Sequence, residues 1–189
     1  VAQSAAASFN PAPRLIDQTI EATIGHAEAT VKEARVDAVE LYSTLSLPDP
    51  GTIGERYPHQ VSGGQLQRVM TAMAMSPRPD LIIFDEPTTA LDVTTQVEVL
   101  LSMRSIVEHF NTAAIYITHD LAVVAQMADR IKVLRYGEEV EDAETKSMLS
   151  SPKEDYTKSL WSVRSLEKPE DPSDDIILDI KNIDAAYSR

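Results

Sequence analysis

Apolar residues at helical spacing dominate the first part of the chain. Between residues 14 and 47 they recur at steps of three and four, which predicts helix with one buried stripe. That stripe consists of Val31, Ala34, Ala38, Leu41, Tyr42 and Leu45. A second helix is predicted over 63–76, because Ser62 and Gln65 form the Ser-x-x-Gln pattern of a capping box at its start.

The second part of the chain alternates strands with helices. Residues 81–84 and 113–118 are continuous apolar runs, which predict strands buried on both faces, and a helical pattern at 93–109 separates them. Strand, helix and strand in this order form a βαβ unit, so we expect the two strands to be parallel. The other predicted elements are a helix at 120–127, a strand at 130–135, a short strand around Glu139 and Val140, and helices at 143–149 and 154–164. The fold class is therefore α/β.

Composition argues against several classes of partner and site. The chain has 17 Lys and Arg against 30 Asp and Glu, a net charge of −13, and it lacks the basic clusters of nucleic-acid-binding proteins. The absence of cysteine excludes disulfides and thiolate metal sites. No apolar run approaches the roughly 18–20 residues that cross a bilayer, so a membrane role would act through a partner. Because the chain opens on Val1 rather than methionine, we interpret it as a fragment.

A glycine-led helix start is the first candidate site. The octet at 61–68 reads VSGGQLQR. A helix N-terminus presents unpaired backbone N–H groups and a partial positive charge. Gly63 and Gly64 would let a phosphate approach that backbone, and the Ser62 hydroxyl adds a donor, so the octet is a candidate anion site. An ordinary capped helix is the alternative interpretation.

Two carboxylates form the second candidate site. Asp85 and Glu86 directly follow the apolar run at 81–84, at the carboxyl end of a predicted parallel strand, where α/β sheets bind ligands. Because successive strand side chains point to opposite faces, we expect the two acids to differ in role. One carboxylate can serve Mg²⁺ together with phosphate oxygens and water, and the other can orient and deprotonate a water. A strand that ends in a solvated acidic turn is the alternative.

Two further polar residues follow at strand and helix boundaries. Asp92 is placed to cap the predicted helix at 93–109. His119 follows the second apolar strand, so its side chain is expected at the same sheet edge as Asp85. The other histidines lack this context and are expected to be structural or exposed: His26, His59 and His109.

The order of these motifs resembles that of the ATP-binding-cassette (ABC) proteins. The octet at 61–68 resembles the family's signature motif, residues 81–87 its Walker B motif, residues 87–92 its D-loop, and His119 its switch histidine. Gln3, followed by SFNP, resembles the Q-loop of the peptide-type importer ATPases. The segments TTALDVT at 88–94 and YTKSL at 156–160 also resemble the dipeptide, oligopeptide and nickel importer subfamily.

The resemblance implies a role for each matched residue. Asp85 and Gln3 would bind magnesium, Glu86 would be the catalytic base, and His119 and Gln3 would also take part in catalysis. The residues implied in nucleotide binding are Ser62, Gly63, Gly64, Gln65, Asp92 and Tyr187. Tyr187 enters this group because the segment LDIKNI at 178–183 and the tyrosine resemble the opening of a second cassette.

The resemblance also implies an organisation for the chain. No G-x-x-x-x-G-K-[ST] loop occurs, so the Walker A motif is missing and the fold is expected to be a partial P-loop NTPase-type core with a helical subdomain. The predicted parts are a Q-loop segment at 1–13, a helical subdomain at 14–78, the remaining ATPase core at 79–166, an acidic, proline-bearing linker at 167–175, and the first strand of a second cassette at 176–189. The parent protein would then be a fused double ATPase.

By the same resemblance, this chain is expected to be part of an ATP-hydrolysing subunit that uses ATP and Mg²⁺. The subunit would pair with a second cassette and with transmembrane permease subunits at the cytoplasmic face of the inner membrane. It would power import of peptides or similar small solutes, and the fragment alone would be inactive. A non-transport ABC ATPase acting on ribosomes or DNA is the alternative.

Overall fold

A computed structural model describes residues 1–26, 29–89 and 91–162. The helices are α1 (Ala5–Ser8), α2 (Leu15–His26), α3 (Val31–Thr44), α4 (Pro50–Ile53), α5 (Gly63–Met75), α6 (Val93–Phe110), α7 (Leu121–Met127), α8 (Thr145–Ser150) and α9 (Asp155–Ser162), with a 3-10 turn at Pro58–Gln60. The strands are β1 (Leu81–Asp85), β2 (Ala113–Ile117), β3 (Arg130–Arg135) and β4 (Glu138–Glu144). Three predicted features lie outside the described residues: the linker at 167–175, the strand after 176, and Tyr187.

The predicted βαβ unit is confirmed. Strands β1 and β2 pair in parallel, from Leu81 opposite Ala113 to Asp85 opposite Ile117, and α6 connects them. Strands β3 and β4 form a separate antiparallel pair. Within the described ranges, no helix has both the length and the apolar character that a bilayer span requires.

The prediction that β1 and β2 are buried on both faces is wrong for the described part of the chain. Burial alternates along β1: Ile82 is 3% exposed and Phe84 is fully buried, whereas Leu81 and Ile83 are 47% and 46% exposed. On β2, Ile115 is 47% exposed. The described residues therefore cover one face of β1, whereas β2 is exposed at Ala114 and Ile115, which lie on opposite faces. An apolar run alone does not reveal which faces have neighbours.

The helical region predicted over 14–47 consists of two helices. Helix α3 begins after Thr30, whose hydroxyl accepts a hydrogen bond from the Glu33 N–H while the Glu33 carboxylate accepts one from the Thr30 N–H. This capping box specifies a new helix start. Val31, assigned to the buried stripe, is 53% exposed because it lies in the first turn, whereas the other five stripe residues are buried.

Helices α2, α3 and α5 pack around one hydrophobic core. Tyr42 lies at its centre, fully buried, and its hydroxyl is 2.6 Å from the Thr19 hydroxyl. Burial raises the pKa of Tyr42 to about 12. Arg68 of α5 is also buried, and its guanidinium donates to the backbone carbonyls of Ser46 (2.8 Å) and Gly64 (3.3 Å). Arg68 therefore fixes the first turns of α5 to the end of α3.

Candidate functional site

The carboxylate of Glu86 is the centre of a polar cluster. Oε2 of Glu86 accepts hydrogen bonds from Gln3 Nε2 and from the Thr89 hydroxyl, both at 3.1 Å. Oε1 lies 2.9 Å from Nδ1 of His119. Glu86 itself has a left-handed backbone (φ 43°), and its N–H donates to the carbonyl of Ile117 at 2.9 Å. The backbone turn after β1 thus aims the carboxylate at three polar side chains.

Strand pairing explains why residues so far apart in sequence meet. The backbone of Val1 pairs with β1 in a parallel pattern: its amino group donates to Ile83 O at 2.8 Å, and the Asp85 N–H donates to Val1 O at 2.9 Å. This pairing lies on the side of β1 opposite β2. Gln3 therefore reaches the carboxyl end of β1 from one side, and His119, two residues after β2, reaches it from the other.

The pKa values of Glu86 and His119 both shift in the directions expected for an attractive contact between them. The hydrogen bond from His119 is the largest cause that lowers the pKa of Glu86. The same hydrogen bond raises the pKa of His119. The His119 side chain is 73% exposed and that of Glu86 is 27% exposed, so solvent screens the contact. The arrangement favours an ionised Glu86 next to a protonated His119.

These shifts predict a pH window for the contact. Because the pKa of Glu86 is lowered, the contribution of its carboxylate to the free energy of unfolding is present above the ordinary pKa of 4.5. This contribution is lost as pH falls through the shifted pKa. Because the pKa of His119 is raised, the contribution of its imidazolium to the free energy of unfolding is complete below pH 6.5. This contribution is lost as pH rises through the shifted pKa. We expect the NMR titration midpoint of His119 to lie above 6.5 and to fall towards it in Glu86→Gln. A midpoint that the substitution leaves unchanged would contradict the contact.

Asp85 is separate from the Glu86 cluster but suits the predicted magnesium ligand. It ends β1 and is exposed. No group of three or more His, Asp or Glu side chains that could hold a metal ion occurs among the described residues. The prediction that Asp85 and Gln3 bind magnesium, a cation that takes one or two carboxylates together with phosphate oxygens and water, stays a prediction. Gln3, the other predicted magnesium ligand, donates its amide N–H to Glu86.

The D-loop segment leads into α6 as predicted. The Asp92 side chain accepts a hydrogen bond from the Thr95 N–H at 3.0 Å, which confirms the predicted cap, and hydrogen bonds from Thr95 lower the pKa of Asp92. Two polar residues near this segment were not predicted, Thr89 and Gln96. Thr89 had a local signal, since a hydroxyl three residues after Glu86 in a turn commonly bonds back to it. No local sequence pattern indicated Gln96, because its hydrogen-bond partners are distant in sequence.

The predicted anion site at the start of α5 is an exposed helix tip. The Ser62 hydroxyl accepts from the Gln65 N–H at 3.3 Å, and Gln65 Oε1 accepts from the Ser62 N–H at 3.0 Å, so the predicted capping box is confirmed. Ser62 and Gly63 are exposed. Gly64 is buried, and a Cβ there would lie 2.3 Å from Cγ2 of Thr95. Packing against α6 therefore explains Gly64, and Ser62 and Gly63 form the accessible surface of the tip.

Removal of the cap predicts a stability loss. In Ser62→Ala the Gln65 N–H loses its partner, so we expect the free energy of unfolding to fall by about 1 kcal/mol. Thermal unfolding followed by circular dichroism measures the change. Ser4→Ala, which removes the side-chain cap of the four-residue helix α1, serves as the comparison and should cost less, because a helix of one turn has less structure to lose. An equal or larger loss in Ser4→Ala would contradict the importance of the Ser62 cap.

Comparisons with known proteins place this geometry in a family. The ABC transporter family model matches residues 4–89. The chain is 42% identical over 153 residues to the glutathione import ATP-binding protein GsiA of Escherichia coli strain K12 and, over the same number of residues, to the dipeptide transport ATP-binding protein DppD of Bacillus subtilis strain 168. Each alignment covers 81% of this chain. The chain spans 25% of the first relative and 46% of the second.

Solved structures agree with the sequence relatives. A dimeric ATP-binding cassette in a post-hydrolysis state, bound to ADP and Pi, has a TM-score of 0.64 at 26% identity, over 77% of this chain and 61% of that one. An inward-facing metal-chelate type ABC transporter has a TM-score of 0.65 at 25% identity, over 76% of this chain and 57% of that one. From the matched motifs, the relatives and the shared fold, we conclude that this chain carries an ABC transporter domain and has the fold of the ATP-binding cassettes.

Proposed function

We propose that this chain is part of an ATP-hydrolysing subunit that powers a membrane importer of peptides or similar small solutes. The observation that carries the proposal is the carboxylate of Glu86, held at the sheet edge by Gln3, Thr89 and His119. An ionised carboxylate in this place suits a base that takes a proton from water. The functions of the two relatives, glutathione import and dipeptide transport, support a peptide-like cargo.

Each residue of the cluster has a task in the proposed reaction. Glu86 orients a water molecule and accepts its proton as the water oxygen bonds to the γ-phosphorus of ATP and the bond to the bridging oxygen of ADP breaks. His119 and Gln3 hold the Glu86 carboxylate and donate towards the γ-phosphate. Asp85 and Gln3 would hold Mg²⁺, which, when bound, neutralises charge on the phosphate oxygens. Positioning and charge stabilisation supply most of the rate in such reactions.

The helix tip is proposed to act on a nucleotide bound by a second cassette. Ser62, Gly63 and Gln65 are on the accessible side of a helix N-terminus, where backbone N–H groups can bind phosphate. The backbone of Gly64 and the side chain of Asp92 complete the proposed contacts. Dimeric solved cassettes among the structural neighbours support the pairing.

The remaining partners follow from the same proposal. Transmembrane permease subunits would bind the helical subdomain at 14–78, so the protein would be peripheral at the cytoplasmic face of the inner membrane. The second cassette would be fused through a linker at 167–175, and Tyr187 would bind its nucleotide. Nucleic acid is not proposed as a partner, since the chain carries a net charge of −13 and its relatives are transport proteins.

Phosphate release tests the proposal. We expect the purified 189-residue chain to release no phosphate from ATP, because it lacks a G-x-x-x-x-G-K-[ST] loop. A longer protein that contains this chain and such a loop should hydrolyse ATP, and its permease with a transported peptide should raise the rate. Turnover by the 189-residue chain alone would refute its expected inactivity, and no turnover by the longer protein would refute the proposed function.

A further inference from the structure

Gln96 connects the two chain segments that carry Glu86 and His119. Its side chain is half-buried on the first turns of α6. Nε2 of Gln96 donates to the Thr88 hydroxyl at 3.2 Å and to Oδ2 of Asp120 at 3.3 Å. One amide group therefore joins the segment that follows β1 to the segment that follows β2.

The two anchored residues are close neighbours of the catalytic pair. Thr88 lies two residues after Glu86 and is 7% exposed, and Asp120 directly follows His119. The Asp120 N–H also donates to the Thr118 hydroxyl at 3.0 Å, which restrains the local backbone. A shift of either anchor would therefore move Glu86 or His119.

The β1–β2 pairing joins these segments up to the Glu86 N–H bond to the Ile117 carbonyl, so the Gln96 bonds add a restraint beyond the end of the pairing. A cavity of about 150 Å³ lies between them, and Gln96, Thr89 and His119 are among the residues that line it. A cavity wall lacks contacting atoms on one side, so hydrogen bonds across it have a larger share in holding its walls in place. The Gln96 amide forms two such bonds.

We infer that Gln96 is a positioning residue, which sets the separation between Glu86 and His119 through its bonds to Thr88 and Asp120. The inference rests on the proposed function, since it concerns the geometry of the proposed catalytic pair. Gln96 acts through other residues, so its loss should impair the reaction step more than nucleotide binding.

Hydrogen exchange on the 189-residue chain tests the bridge without ATP. In Gln96→Leu the two hydrogen bonds are lost, and we expect amides at 117–122 to exchange about threefold to tenfold faster. Gln96→Lys keeps a donor of sufficient length and should retain slow exchange. Gln126→Leu, the same change at an exposed position of α7, is the matched control. Unchanged exchange in Gln96→Leu, equally fast exchange in Gln96→Lys, or an increase spread evenly over α5 and α6 would overturn the inference.

Kinetics of the longer, ATP-hydrolysing protein provide the second readout. Gln96→Leu should lower kcat about tenfold while KM for ATP stays within about twofold, because the substitution misplaces groups that act on the reaction. Gln126→Leu should match the unsubstituted protein. If that protein hydrolyses no ATP, the proposed function fails while the exchange experiment still decides the role of Gln96. If it hydrolyses ATP and Gln96→Leu has the same kcat, only the inference about Gln96 fails.

Discussion

Replacement of Glu86 by glutamine is expected to lower ATP turnover of the longer protein by about 100-fold to 10,000-fold, the range that general-base catalysis contributes. Glutamine matches glutamate in size and can still accept hydrogen bonds from Gln3 and Thr89. It cannot take a proton from water, so the loss should appear in kcat. Phosphate release at saturating ATP measures the effect, and equilibrium binding of ATP should be retained.

A second glutamate, outside the proposed catalytic cluster, provides the control for this experiment. Glu98 is exposed on α6 and lies outside the Glu86 cluster, so Glu98→Gln should hydrolyse ATP at the unsubstituted rate. If Glu86→Gln keeps more than about a tenth of the rate, Glu86 is not the base. A loss of ATP binding in Glu86→Gln would instead show that the carboxylate contributes to ATP binding.

The largest expected effect on stability is that of Gly64→Ala. The added Cβ would lie 2.3 Å from Cγ2 of Thr95, so Thr95 must leave its rotamer or α5 and α6 must separate. Overpacking of this kind costs about 1–3 kcal/mol of unfolding free energy. Chemical denaturation of the 189-residue chain measures the change as a lower midpoint.

Two further substitutions separate packing from any effect on the helix itself. At Gly63 an added Cβ would be 3.4 Å from Cδ2 of Leu91, an ordinary contact, so Gly63→Ala should leave the midpoint nearly unchanged. Thr95→Ser removes the clashing methyl group and should restore most of the stability lost in Gly64→Ala. If the double variant is as unstable as Gly64→Ala alone, the contact with Thr95 does not explain Gly64.

Local features of the fold were predictable because their signals lie within a few residues. The capping box of Ser62 and Gln65, the Asp92 cap and the order of β1, α6 and β2 all follow from short patterns, and the structure confirms them. The place of His119 at the sheet edge after β1 also followed, since carboxyl ends of parallel strands share a sheet edge, whereas its hydrogen bond to Glu86 was not predicted.

Other features depend on partners that a local pattern does not specify. The apolar run at 81–84 was interpreted as buried on both faces, but burial depends on which elements cover the sheet, and Leu81 and Ile83 are exposed. Gln3 was assigned by family resemblance alone, because its contact with Glu86 spans 83 positions of sequence. Gln96 carries no motif, and its bonds to Thr88 and Asp120 became visible only in three dimensions.

The central claim is that the helix tip at 62–65 acts on the ATP of the second cassette, while the carboxylates of Asp85 and Glu86 act on the ATP of their own cassette. A structure of the longer protein carrying Glu86→Gln, determined with Mg²⁺ and ATP, measures this directly. We predict that the Ser62 hydroxyl lies about 3 Å from a γ-phosphate oxygen of the ATP held by the second cassette, while Asp85 binds the magnesium of the ATP held by its own cassette. A Ser62 tip that faces solvent in the ATP-bound pair, or one that contacts the same ATP as Asp85 of its own cassette, would contradict the account.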